Sequence, residues 1–108
     1  TTEIYTLSLH DALPIWKPFM ELRGALMPNF HYVYILTDVT TGTHHYTGCT
    51  GDLQKRLEKH NKGDVPHTSK NRPWKIQTAI AFDTQNKAYA FETYLKTHSG
   101  RAFAKKHF

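Results

Sequence analysis

The chain has 108 residues and a formal net charge of +5 at pH 7, so it suits one domain with an anionic partner such as a nucleic acid. Its single cysteine, Cys49, excludes an intrachain disulfide and a cysteine-rich zinc cluster, and the cytoplasm is therefore the expected location. No stretch approaches the roughly 20 apolar residues that cross a bilayer, so we expect no membrane partner.

Residues 1–15 show neither a helical nor a strand period, and they resemble the translation of a short sequencing adapter. Segments of foreign origin are set aside when a fold is predicted. We therefore expect residues 1–26 to be a non-native or disordered extension and residues 27–108 to form the domain, beginning at Met27. The alternative is a genuine N-terminal helix over residues 1–26.

Two strands joined by a turn are predicted next. Residues 31–37 are β-branched and aromatic on both faces, which is typical of a central strand. Residues 43–47 form a second strand after a turn-rich segment, so the two make a hairpin. A turn centred on Thr40 would place Tyr34 directly across from Tyr46, and opposed residues of an antiparallel pair share a face. We therefore expect both phenols to project into one site.

A helix follows, capped by Thr50 or Asp52 and ended near residue 62 by Gly63. The stripe that should face the core has the spacing i, i+3, i+4, i+7: Leu53, Arg56, Leu57 and His60. Arg56 and His60 thus occupy positions that should be apolar.

A loop, a third strand and two helices complete the predicted pattern. The loop spans residues 63–73 and the alternating third strand spans residues 74–82. The second helix starts near Asp83 or Thr84 and runs to about residue 98, and Glu92 is the charged residue in its stripe. Ser99 is expected to cap a last short helix.

The polar residues in the two helical stripes require an explanation. A carboxylate or guanidinium on a buried face costs several kcal/mol unless it is paired or solvated. One interpretation is that Arg56, His60 and Glu92 converge on the tyrosine strands. The alternative is a buried Arg56–Glu92 salt bridge beside a core histidine whose hydrogen bonds are satisfied.

A converging set would suit the cleavage of a phosphodiester. Glu92 can hold Mg²⁺ or Mn²⁺, because Mg²⁺ uses one or two carboxylates and keeps several waters. Arg56 offers a charged, bidentate donor to phosphate. A phenol is a poor base at its ordinary pKa near 10, but a neighbouring cation favours the phenolate. Further cations could follow a DNA backbone: Lys55, Lys59, Lys62, Lys70, Arg72, Arg101 and Lys105.

These residues resemble the GIY-YIG nuclease domain, especially small stand-alone bacterial members similar to the N-terminal domain of an excinuclease. The Tyr-Val-Tyr triplet at residues 32–34 stands where the family has Gly-Ile-Tyr, and the Tyr-Thr-Gly triplet at residues 46–48 stands for Tyr-Ile-Gly. Arg56 matches the family's catalytic arginine, His60 a histidine seen in many members, and Glu92 the metal-binding glutamate. The resemblance extends from Tyr32 to about the end of the chain.

The resemblance implies an α/β fold with a central three-stranded antiparallel sheet flanked by helices, and magnesium-dependent hydrolysis of DNA, as in repair or the processing of branched DNA. It implies that Tyr34 or Tyr46 is the general base or positions water, Arg56 clamps phosphate and His60 relays a proton. Glu92 would be the metal ligand. No small-molecule cofactor is implied, and the oligomeric state is open.

Cys49 departs from the family pattern, because a lysine often stands after the second triplet, and no asparagine follows Glu92. These departures bear on how substrate is positioned. Two alternatives to an endonuclease are open: a noncatalytic nucleic-acid-binding module of the same fold, and an interaction domain with a buried Arg56–Glu92 pair.

Overall fold

A computed structural model of the protein describes residues 26–108. Within that range the chain forms three strands and several helices: β1 His31–Asp38, β2 His45–Thr50, α1 Leu53–Lys62, a 3-10 helix Pro66–Asn71, β3 Trp74–Phe82, α2 Gln85–Leu95 and α3 His98–His107. No helix there is long and apolar enough to span a membrane. The extension expected at residues 1–26 lies outside the described residues apart from Leu26, so the domain boundary stays a prediction.

The sheet is three-stranded and antiparallel, with the order β2-β1-β3, which confirms the predicted α/β fold. The central position of β1 agrees with its composition, because consecutive residues from Val33 to Leu36 are buried on both faces. Strand β3 alternates between buried or half-buried and exposed positions, as its sequence predicted.

The β1–β2 turn is centred one residue later than the sequence suggested. The buried carboxylate of Asp38 accepts hydrogen bonds from the backbone N–H groups of Thr41 and His44, both at 2.9 Å. The Thr41 hydroxyl also donates to this carboxylate, and together with the backbone donors it holds the pKa of Asp38 well below its usual range. The ionised Asp38 therefore fixes where β2 begins pairing.

That turn changes the pairing of the two tyrosines. Tyr34 pairs with Gly48, and Tyr46 pairs with Leu36, so the expected direct opposition of Tyr34 and Tyr46 is wrong. Tyr46 and Gly48 are two residues apart on one strand and therefore point to the same face. The two phenols therefore lie on the same face of the sheet, but Tyr46 is a diagonal neighbour of Tyr34 and not its direct partner.

The ends of α1 follow local signals. Asp52 is the N-cap, and its side chain accepts from the Lys55 N–H at 3.1 Å. Gly63 ends the helix in the left-handed conformation, with φ of 85°. Both features agree with the sequence-based prediction.

The boundary between α2 and α3 differs from the prediction. Helix α2 ends at Leu95, before the predicted end near residue 98, and Thr97 instead of Ser99 caps α3 by accepting from the Gly100 N–H at 3.1 Å. Gly100 approaches the end of α2 so closely that a Cβ atom would overlap the Tyr94 carbonyl. This close approach requires glycine and allows the sharp reversal between the helices.

The two faces of the sheet pack against different helices. Tyr34, Leu36 and Trp74 pack with α1 on one side, here called the α1 face. Val33 and Ile35 point the other way and pack with α2 and α3 on the α2/α3 face. Residues on α1 and on α2 therefore reach the sheet from opposite sides.

Candidate active site

Tyr34 lies at the centre of a polar cluster on the α1 face. Its side chain is only 1% exposed, and its hydroxyl oxygen accepts a hydrogen bond from Arg56 Nε at 3.3 Å. The same hydroxyl lies 2.9 Å from His60 Nε2. Helix α1 thus brings its two unusual stripe residues to one phenol, which explains why a buried face tolerates them.

The hydrogen bonds around His60 form a chain in which each group donates to the next, from Tyr34 through His60 and Thr68 to the Val65 carbonyl. The Thr68 hydroxyl donates to the Val65 carbonyl at 3.3 Å, which leaves its oxygen to accept from His60 Nδ1–H at 2.7 Å. His60 Nε2 is then the unprotonated nitrogen and accepts a hydrogen bond from the Tyr34 hydroxyl. All buried side-chain N and O atoms in the described part of the chain have partners. His60 is therefore a neutral imidazole that accepts from Tyr34 at Nε2, and Thr68 fixes its orientation at Nδ1.

Burial and charge set the protonation states. Burial is the main cause that raises the pKa of Tyr34 above its ordinary value, although the hydrogen bond and charge of Arg56 oppose the shift. Burial, and then the Arg56 charge, lower the pKa of His60. The hydrogen bond to Tyr34 raises the pKa of Arg56, which stays protonated. At neutral pH the cluster holds one cation, a neutral phenol and a neutral imidazole.

Gly48 provides the space for the Tyr34 ring. A Cβ atom at this position would lie 2.6 Å from Tyr34 Cζ and 3.0 Å from Cε1, both inside van der Waals contact. Gly48 has no positive φ, so steric access and not backbone conformation requires the glycine. The glycine of the second triplet therefore allows the tyrosine of the first to lie across β2.

Tyr46 is the second phenol of the cluster and is half-buried. Its ring centroid lies 4.9 Å from that of His60 and 6.4 Å from that of Tyr34. Its hydroxyl also contributes to the raised pKa of Arg56. We call Tyr34, Tyr46, Arg56 and His60 the tyrosine cluster, and Tyr46 is its solvent-reachable phenol.

Glu92 reaches the sheet from the other side. It lies on α2, its side chain is 20% exposed, and its Oε2 pairs with Lys96 Nζ at 3.1 Å. Within residues 26–108 no salt bridge joins Glu92 to Arg56, so the alternative of a buried pair between them is wrong. The Glu92 charge nevertheless contributes to the raised pKa values of Tyr34 and Cys49, after burial.

The donor set around Glu92 limits which metal could bind. No group of three or more His, Cys, Asp or Glu side chains in residues 26–108 is placed to hold a metal ion. A single, partly exposed carboxylate suits Mg²⁺ or Mn²⁺, because these ions keep several waters, whereas it does not suit zinc, which takes several protein ligands. The residues present therefore fit a hydrated, hard cation.

The family model for the GIY-YIG catalytic domain matches residues 30–106, which includes every residue of the tyrosine cluster and Glu92. The chain belongs to the GIY-YIG family. This family is of the nuclease type, and the match confirms the resemblance that the two triplets indicated.

Several curated relatives of this GIY-YIG domain carry the name UPF0213 protein. The relative from Lactococcus lactis subsp. cremoris is 38% identical over 71 residues, which are 63% of this chain and 68% of the relative. The relative from Halobacterium salinarum is 34% identical over 67 residues, 61% of this chain and 84% of its own length. The relative from Staphylococcus saprophyticus is 36% identical over 70 residues, 64% and 83% respectively. The name states no activity.

The cations predicted to follow DNA are all exposed, but the GIY-YIG domain divides them between its two faces. Five belong to elements on the α1 face of the sheet, namely α1 itself and the 3-10 helix with the residue after it: Lys55, Lys59, Lys62, Lys70 and Arg72. Arg101 and Lys105 lie on α3, which packs on the α2/α3 face. The structure thus separates these two from the other five.

Three residues that anchor the GIY-YIG site were missed by the sequence analysis. Thr68 anchors His60, and its backbone carbonyl accepts from Trp74 Nε1 at 2.8 Å. No local pattern marks this threonine, since it comes from a different element. Lys96 could have been found, because it follows Glu92 at the i, i+4 spacing of helical ion pairs. Asn61 bonds the backbone of Trp74 through both side-chain atoms, and nothing in its position signals this role.

Proposed function

We propose that the protein is a metal-dependent endonuclease that hydrolyses phosphodiester bonds of DNA, with residues 27–108 as its catalytic domain. One observation carries the proposal: a half-buried Arg56, oriented by a fully buried phenol, stands beside the solvent-reachable Tyr46. Membership in a nuclease-type family and the net positive charge support the same function.

Arg56 is the proposed phosphate ligand. A guanidinium carries five N–H donors in a rigid fork, and the Tyr34 hydroxyl accepts one of them, from Nε. The four N–H groups on the two terminal nitrogens are left for the non-bridging oxygens of a phosphate. Because Tyr34 is itself held by His60, the guanidinium enters the reaction already oriented.

Tyr46 is the proposed residue that positions or activates the attacking water. Tyr34 is unsuited to this role, because its hydroxyl is engaged by both Arg56 and His60 and its pKa is raised. Tyr46 lies beside the Arg56 guanidinium and is half-buried, so its hydroxyl can reach both solvent and a phosphate held by Arg56. His60 then serves to hold Tyr34 by accepting a hydrogen bond from its hydroxyl.

Glu92 is the proposed metal ligand, although it lies on the opposite face. Strand β2 is the edge of the sheet, with Tyr46 on its α1 face and Cys49, near Glu92, on the other face. A phosphate that approaches along this edge meets Arg56 from one side and Glu92 from the other. When bound, Mg²⁺ would neutralise charge that develops on the phosphate and lower the pKa of water.

Cleavage assays test the proposal. The chain is incubated with labelled linear, flapped and branched DNA, with Mg²⁺ or with a chelator. We expect chelator-sensitive nicking that falls by about 100-fold in Tyr46→Phe and in Glu92→Gln. Tyr89→Phe and Glu58→Gln make the same chemical changes at exposed positions and should cut normally. DNA binding without nicking would instead support the noncatalytic module.

A further inference from the structure

A cavity of about 660 Å³ lies on the α2/α3 face, and of the tyrosine cluster only Tyr46 lines it. Its floor is apolar and is formed by Ile35, Leu95 and Ala104. The ring of Phe108 forms one side and packs edge-on against Phe103, at a centroid distance of 5.6 Å. A volume of this size falls within the range of about 300–1,000 Å³ that small-molecule sites occupy.

The rim of the cavity is positively charged. Lys96, Arg101 and Lys105 lie along it, and no Asp or Glu side chain lines the cavity. The Lys96 ammonium forms a salt bridge with Glu92, and one Arg101 N–H donates to the Lys96 carbonyl at 3.1 Å. Lys105 makes no salt bridge to any described residue, and Arg101 keeps its other donors. Two cations are therefore available to an anion beside an apolar floor.

Two polar side chains that line the cavity indicate which chemical class of anion fits it. Thr47 and Gln77 contribute a hydroxyl and an amide among the apolar side chains. The Gln77 amide N–H donates to the Phe108 carbonyl at 3.3 Å, and its amide oxygen has no partner among the described residues. The edge of a nucleobase can hydrogen-bond with this oxygen and with the Thr47 hydroxyl, whereas a purely aliphatic anion makes no use of them. The flat face of a base also suits the Phe108 ring and the aliphatic floor.

We propose that this cavity binds a free nucleoside monophosphate, with the base against Ile35 and Phe108 and the phosphate on Arg101 and Lys105. The lining carries this inference: an apolar floor, an aromatic wall, two hydrogen-bonding side chains and a cationic rim occur together in one cavity. Tyr34, Arg56 and His60 do not line this cavity, which shares only Tyr46 with the tyrosine cluster, and binding there goes beyond the proposed endonuclease activity.

Isothermal titration of the full 108-residue chain with dAMP, in the presence of a chelator, tests the inference. We expect saturable binding with one ligand per chain. Arg101→Gln and Lys105→Gln should each weaken binding about tenfold, because each removes a charged hydrogen-bond donor. Lys87→Gln is the matched control: it removes one lysine from the far end of α2, which does not line the cavity, and should leave binding unchanged.

Further measurements separate the cavity from the proposed active site and from general electrostatics. Arg56→Ala should bind dAMP as the unaltered chain does, even though it disables the proposed nuclease. A short DNA duplex should not displace dAMP, and inorganic phosphate or deoxyadenosine alone should bind at least about tenfold more weakly. Thermal melts confirm that each variant is folded.

Three results would overturn the inference. They are no detectable dAMP binding at millimolar concentration, equal weakening by Lys87→Gln and Lys105→Gln, and full displacement of dAMP by one equivalent of duplex. The last result would assign the cavity to the path of the DNA. A cavity-filling variant, Ala104→Leu, keeps the charge of the rim and should also abolish binding, because the base is proposed to pack on the floor that Ala104 helps to form.

Discussion

Substituting Gly48 by alanine should damage both stability and activity. The added Cβ would lie 2.6 Å from Tyr34 Cζ, and the ring cannot move aside easily because Tyr34 is 1% exposed and packed between Arg56 and His60. The clash must therefore be relieved by displacing the Tyr34 hydroxyl from its partners or by separating β1 from β2.

The expected cost follows from those two consequences. Overpacking of a well-packed core costs about 1–3 kcal/mol. Weakening the hydrogen bond from the charged Arg56 to Tyr34 adds about 1 kcal/mol, below the usual range of about 1.5–3 kcal/mol for charged groups because the guanidinium is partly exposed to solvent. We expect Gly48→Ala to lower the free energy of unfolding by about 2–4 kcal/mol.

Urea denaturation of Gly48→Ala measures this loss, and Gly51→Ala provides the control. Gly51 has no positive φ, and a Cβ there would meet nothing within 4 Å. Its variant should stay within about 0.5 kcal/mol of the unaltered chain. Equal stability of the two alanine variants would refute the claim that Gly48 makes room for Tyr34.

Three further changes test the anchoring of the site. Thr68→Val removes the acceptor of His60 Nδ1–H and should destabilise the fold by about 1–3 kcal/mol in chemical denaturation; unchanged stability would argue against the hydrogen-bond chain. The pKa of His60 is lowered in the folded state, so the unfolded chain takes up a proton first as pH falls. The free energy of unfolding should thus decrease below about pH 6.5, where the unfolded imidazole titrates, and level off once the folded imidazole protonates. His60→Gln should remove this slope between pH 7.5 and 5.5, and a persisting slope would assign it elsewhere. Lys96→Gln should tighten Mn²⁺ binding about two- to fivefold in a titration followed by electron paramagnetic resonance, because it frees Glu92, whereas Lys87→Gln should not.

Local signals predicted the elements that local interactions determine. Asp52 and Gly63 bound α1 as the sequence indicated, since capping depends on a few neighbouring residues. The Arg56 and His60 positions also marked a polar site, because a helical period places both beside the sheet.

Features set by tertiary contacts were not predictable in this way. The register of the hairpin depends on the buried Asp38, whose bonds across the turn move its centre by one residue and the pairing by two. The end of α2 depends on the close approach of Gly100 to the Tyr94 carbonyl. A helical wheel placed Glu92 toward the sheet but gave no indication that α2 packs on the opposite face from α1.

The central claim is that an oriented Arg56 stabilises a phosphodiester in the transition state. Single-turnover cleavage of labelled DNA with Mg²⁺, compared between the unaltered chain and folded Arg56→Ala, tests it most directly. We expect a loss of about 100-fold or more, and Arg56→Lys should recover little, because the lysine ammonium lacks the two-pronged donor geometry of a guanidinium. Cleavage at an unchanged rate in Arg56→Ala would contradict it.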